Sequence, residues 1–160
     1  MRAGAEVRLL ASLRVAILAG LAAAIVEMVF VLPIQQYLGA SPLVVFQSIA
    51  AGALGKSAFS EGLPAAALGV AVHLLISLVS AGVFVGASLR WPLLLRRPWL
   101  SGMLYGVAVY LVMTFVVLPL SAIGFRLPKS LPLWTLSFSI HLFAFAVPIA
   151  LVTRRLLRVR

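Results

Sequence analysis

The chain contains no cysteine, no aspartate and only three acidic residues, Glu6, Glu27 and Glu61. Without cysteine there are no disulfides, no thiolate metal sites and no cysteine nucleophile. Without aspartate a Ser-His-Asp triad cannot be built, and a glutamate version would have to be assembled from separate segments. The three glutamates also fall in different layers of the arrangement derived below, so paired carboxylates for general acid and base work are missing. Catalysis of the kind soluble enzymes perform therefore has little to stand on. Charge of either sign is scarce: Asp, Glu, Lys and Arg make up 10% of the chain, against about 25% in a typical soluble domain.

Apolar residues are abundant instead, at 64% of 160 residues. They fall in long runs that cannot all sit on one buried face, so the chain reads as an all-α integral membrane protein whose main partner is the lipid bilayer. Thirteen Lys and Arg against three acids give a formal charge of +10. In a membrane protein basic residues gather at the cytoplasmic ends of spans and face anionic headgroups, which accounts for the charge with no nucleic-acid partner.

A helix needs about 20 mostly apolar residues to cross about 30 Å of hydrocarbon. Four stretches meet that requirement, residues 15–38, 64–89, 99–120 and 133–153, within one domain covering 1–160. Arg14 precedes the first, Gly62 and Pro64 open the second, Arg96, Arg97 and Pro98 precede the third, and Lys129 and Pro132 precede the fourth. Arg2, Arg8, Arg14, Arg90, Arg96, Arg97, Arg154, Arg155, Arg158 and Arg160 fall on one side of these spans, and only Lys56, Arg126 and Lys129 on the other. The excess of positive charge predicts that both termini are cytoplasmic, with a bacterial inner membrane as the plainest host. Trp91 and Trp99 then sit at the inner interface and Trp134 at the outer one. The first apolar run continues past Ala22, Ala23 and Ala24 to Leu38, too far for a signal peptide, so an uncleaved span is expected.

Two echoes point to a duplicated helical hairpin. Val31-Leu32-Pro33-Ile34 returns as Val117-Leu118-Pro119-Leu120, an offset of 86, and Val72-His73-Leu74 returns as Ile140-His141-Leu142, an offset of 68. Two hairpins that both start inside would be related by a pseudo-twofold axis along the membrane normal. The difference in offsets makes the first outer loop eighteen residues longer than the second. Within it Ser41-Pro42 is a helix start and 43–54 an apolar run ended by Gly55-Lys56-Ser57, which predicts a short interfacial or re-entrant helix over the outer end of the bundle. Gly55-Lys56-Ser57 is not a phosphate-binding loop: Ala50 stands where that motif needs glycine, and no strand precedes it. Gly82 with Gly86, Gly102 with Gly106, and Gly20 with Ala24 give the small-xxx-small spacing of close helix packing, either inside the bundle or between two copies of the chain.

Polar residues at membrane depth are the most informative feature. A carboxylate in hydrocarbon is costly unless protonated or paired, which singles out Glu27. Glu27 lies thirteen residues beyond Arg14 and His141 thirteen before Arg154, about 20 Å from the inner boundary. His73 lies seventeen before Arg90 and Thr114 seventeen beyond Arg97, about 25 Å on the same scale. One residue from each span thus falls in a band about 6 Å deep, and Ser77 and Ser137 lie one turn from the histidines. Four uses of this layer are open. It can be a hydrogen-bonded group that fixes helix register. It can be a proton relay or solute path through Glu27, His73, Thr114 and His141. His73 and His141 could ligate haem b, and both with Glu27 could form a two-histidine, one-carboxylate metal centre. Arg154, Arg155, Arg158 and Arg160 in the tail serve as a topology anchor or as a contact for anionic lipid.

With spans and histidines placed, the chain resembles the small four-span bacterial proteins related to the YagU-type inner-membrane family. The resemblance is carried by His73, by Gly102 to Gly106, by Pro119-Leu120, and by His141 followed by Arg154-Arg155. It implies a membrane protein whose function is unassigned, and it implies no reaction. Relatives of that kind carry asparagine where this chain has Thr114, which offers one hydroxyl in place of two amide arms. The leading expectation is a proton-coupled or small-solute path, with a haem-binding electron carrier and an accessory subunit of a larger membrane complex as alternatives.

Overall fold

A computed structural model describes residues 2–124 and 130–157, and every regular element among them is helical. Arg126, Lys129, Arg158 and Arg160 lie outside the described residues. Helix α1 runs Arg2–Tyr37 and α2 Pro42–Leu54, followed by a 3₁₀ turn Gly55–Phe59. Helix α3 runs Leu63–Arg90, and after the turn Pro92–Leu95 come α4, Pro98–Leu120, and α5, Leu131–Leu157. Both α4 and α5 contain a π-helical turn, at Met113–Val117 and Ile140–Ala146.

Local chemistry explains the punctuation. Ser41 caps α2, its Oγ accepting the Val44 N–H at 3.4 Å, and Pro42 occupies the first turn, where its missing N–H is not needed. Gly55 ends α2 at φ +67° and Gly62 precedes α3 at φ +64°, a left-handed conformation that disfavours side chains with a Cβ.

Five helical runs are long and apolar enough to cross a membrane: Leu9–Tyr37, Pro42–Phe59, Leu63–Arg90, Pro98–Leu120 and Leu131–Leu157. The apolar run 43–54 of the first outer loop is by itself too short to cross. The chain continues helically through the 3₁₀ turn to 18 residues, so length by itself does not exclude it. Large apolar side chains remain exposed along all four long helices, among them Ile25, Val29, Leu75, Val79, Leu104 and Phe143. Such a belt suits contact with lipid.

Helix α1 lies between α3 and α5, α4 packs on α5, and α2 lies along α3. Small residues permit the close crossings. A Cβ added at Gly20 would sit 2.9 Å from the Leu78 Cα, one at Gly102 2.9 Å from the Val147 Cα, and one at Gly106 2.8 Å from the Leu142 Cα. At Gly69 it would run into the Phe46 carbonyl of α2. At Gly82 and Gly86 an added Cβ would meet nothing within 4 Å, so of the two uses expected for this spacing, packing inside the bundle is not made there. Their GxxxG face points away from the rest of the chain, because the inner face of α3 is occupied by Ala81, Phe84, Val85 and Ser88.

Below the middle of the bundle, towards the arginine-rich end, the core is closed by Ala19 and Ala23 of α1, Ala81 and Phe84 of α3, Val109 of α4, and Phe145 and Ile149 of α5. Leu95, in the turn between α3 and α4, completes it. The two hairpins do not pack alike. A pseudo-twofold axis would make α1 meet α5 as α4 meets α3. Helix α1 packs along α5, whereas α4 reaches α3 mainly through Tyr105, which donates to the Ser80 carbonyl at 2.7 Å and stacks 5.1 Å from the Phe84 ring. Among the described residues the π-helical turns belong to the second hairpin alone, and α2 packs along α3 of the first, so the two hairpins differ.

Candidate functional site

Above that closed core the helices part around a cavity of about 370 Å³. Glu27 of α1, His73 of α3 and His141 of α5 all line it, Val109 and Phe145 form its floor, and Val44, Val45 and Ser48 of α2 contribute a further wall. A second cavity of about 330 Å³ adjoins it, shares Glu27, Val31, Gln35 and His141, and reaches Leu38 and Leu133. Glu27, Val31 and Gln35 are spaced by four and so lie on one face of α1, forming a stripe from the end of that helix down to the carboxyl group.

Glu27 is only 8% exposed and His73 9%. The His73 Nε2 lies 3.3 Å from the Ala24 carbonyl, an acceptor, so Nε2 carries the proton. The remaining nitrogen, Nδ1, then faces the Glu27 Oε2 at 3.9 Å, too far for a direct hydrogen bond and close enough for one small ligand atom to contact both. Ser77, one turn on, donates to the His73 carbonyl at 2.8 Å. His141 is fixed in the same manner: its Nδ1–H donates to the Ser137 carbonyl at 2.8 Å, which leaves Nε2 unprotonated. Its ring is held edge-on by Tyr110 at 5.3 Å and tilted against Phe145 at 6.4 Å. Both π-helical turns lie beside this region, where an extra residue per turn re-aims side chains.

Thr114 does not join the group. It is half-buried, lines neither cavity, and its neighbour Met113 takes the place on the wall of the first. Equal depth in a membrane fixes height along a helix and not the direction around it, and the π-helical turn begins at this point. Gln35 and Ser48, which the depth argument did not select, do line the cavity. Gln35 could have been found as the residue two turns beyond Glu27 on the same face. Ser137 reaches the site through its carbonyl, and Ser77 acts on the backbone of His73.

The metal-centre alternative is not assembled: among the described residues no group of three His, Cys, Asp or Glu side chains is placed to hold a metal ion. Haem ligation fits poorly as well, because the unprotonated nitrogen of His73 looks at Glu27 across 3.9 Å, with no room for a macrocycle between. Purified protein is therefore expected to show no Soret absorption, and a Soret band that disappears in His73→Ala would overturn this assignment. Arg154 and Arg155 are exposed at the end of α5, free to face headgroups. Comparison with known protein families, curated proteins and solved structures finds no match to this chain.

Proposed function

We propose that the chain is a four-span protein of a bacterial inner membrane, with both termini cytoplasmic, that provides a proton-coupled path for a small solute. The single observation that carries this reading is the shared cavity: a nearly buried carboxyl group and two imidazoles, drawn from three long helices, face one space above a closed core. Ionisable groups at membrane depth are costly and mark ion or substrate routes when they meet in a cavity. The wide upper part and packed lower part are the arrangement of a path open to one side at a time.

Support for four spans comes from the tethers of α2. Gln47 Nε2 donates to the Gly62 carbonyl at 3.2 Å, and the Gly52 carbonyl accepts the Ala122 N–H at 2.8 Å, so the middle and the end of α2 are tied to the same end of the bundle. Tethers of that kind support an interfacial or re-entrant helix as the reading of α2. The charge bias assigns that end to the outside. The resemblance to the YagU-type proteins agrees in span number and adds no substrate. A second reading, a subunit of a larger membrane assembly or of a homodimer, draws on the open face at Gly82 and Gly86.

The test is proton flux into proteoliposomes under an imposed gradient, followed with an internal pH dye. Wild-type protein is expected to conduct above protein-free vesicles and Glu27→Gln to fall to their level. Equal flux from both would favour the subunit reading.

A further inference from the structure

The hydrogen-bonding character of the cavity is one-sided. Glu27 is buried, and its nearest polar partner is the His73 Nδ1 at 3.9 Å. Because Ala24 and Ser137 take the N–H of the two rings, His73 presents a bare Nδ1 and His141 keeps a bare Nε2. Ser48 gives its hydroxyl hydrogen to the Val45 carbonyl at 2.6 Å, leaving the Gln35 amide, about 12 Å above Glu27, as the side-chain donor on the wall. Among the described residues no Lys or Arg lines either cavity. The titratable side chains facing Glu27 are His73 from α3 and His141 from α5, and α4 supplies apolar Val109 and Met113.

A set of acceptors around a buried carboxyl group, with no fixed cation in reach among the described residues, is complementary to a ligand that brings both positive charge and N–H donors. The rest of the wall is apolar, with Met28, Ile76, Met113 and Phe145 in contact range of such a ligand. An aromatic face and thioethers suit the carbon skeleton of an organic cation better than a hydrated inorganic one. His73 also lines an apolar groove of about 490 Å³ on the lipid side of α1 and α3, where Ile25 and Val29 are exposed. At the top of that groove Pro33 lacks the N–H that would close a helical turn on the Val29 carbonyl.

We propose that this cavity binds a lipophilic ammonium ion, whose N–H groups are donated to the Glu27 carboxylate and the His73 Nδ1, with the His141 Nε2 as a further acceptor on the cavity wall. The inference deepens the path described above and rests on it for transport, though not for binding. Proton and ammonium ion then compete for the same carboxyl group, since either one neutralises it, and occupancy by one excludes the other.

Binding is measured by titration calorimetry on the full chain in detergent, with phenethylammonium as probe and its N,N,N-trimethyl analogue as control. Phenethylammonium is expected to bind saturably to wild-type protein and about tenfold more weakly to Glu27→Gln, the size of one charge-assisted hydrogen bond. The trimethyl analogue keeps the charge and the ring but has no N–H, and it is expected to bind wild-type protein about tenfold more weakly, a comparison that needs no variant to fold. No saturable binding of phenethylammonium, equal binding to Glu27→Gln, or equal binding of the two probes would overturn the proposal. Glu27-dependent proton flux without phenethylammonium binding would likewise overturn it and leave the proton path standing. Phenethylammonium binding without flux would support it and remove the path.

Discussion

Alanine at Gly69 or Gly106 is expected to destabilise the bundle by about 1–3 kcal/mol, while alanine at Gly82 is neutral or stabilising by up to about 1 kcal/mol. All three are helical glycines, so the intrinsic gain from replacing glycine is common to them. What differs is the space. A Cβ at Gly106 would sit 2.8 Å from the Leu142 Cα and 2.9 Å from the His141 carbonyl oxygen, and one at Gly69 would meet the Phe46 carbonyl; both neighbours are backbone and cannot rotate away. At Gly82 there is nothing within 4 Å. The check is the unfolding midpoint of each variant in detergent titrated with denaturant. A loss at Gly82 equal to that at Gly106 would place a partner on the open face of α3. Gly69→Ala carries a further consequence, since relief of the clash must lift α2, which supplies Val44, Val45 and Ser48 to the cavity.

Replacement of Glu27 by glutamine is expected to remove proton flux while leaving the fold intact. The carboxyl group is nearly buried, and its nearest polar partner is the His73 Nδ1 at 3.9 Å, so no structural bond is broken by the amide. Glutamine matches the shape and cannot carry a proton on and off, so chemistry and packing are separated by one atom. His73→Gln is expected to reduce flux less, because His141 faces the same space. An unfolded Glu27→Gln protein would mean instead that the carboxyl group fixes helix register, the bland use of the polar layer.

Much of the helical arrangement was legible because membrane helices advertise themselves by length, and proline, arginine and glycine mark their ends. The helix predicted over 43–54 begins and ends within one residue of that range, owing to the Ser41 cap and Gly55. The 3₁₀ continuation was not legible, since Gly55-Lys56-Ser57 reads as a break. Depth put Glu27, His73, His141 and Thr114 in one layer; the first three line one cavity, and Thr114 shows the limit of that argument. Depth constrains one coordinate, and the azimuth depends on a π-helical turn that no local residue pattern announces. The glycine pairs teach the same lesson. Spacing selects Gly82 and Gly86 as readily as Gly102 and Gly106, yet only the second pair meets a neighbour, and the isolated Gly69 makes the closest approach of all.

The central claim is that Glu27, His73 and His141 share a space reachable from the end of the bundle that carries α2. The absence of cysteine makes a direct test available, because single substitutions report without background. Val31→Cys lies on the cavity wall one turn above Glu27, and Val79→Cys lies on the lipid-facing side of α3, where Val79 is 57% exposed. Each is treated in sealed proteoliposomes with a charged, membrane-impermeant thiol reagent and scored for modification by mass. The account predicts that Val31→Cys is modified and Val79→Cys is not; an unreactive Val31→Cys in folded protein would contradict it.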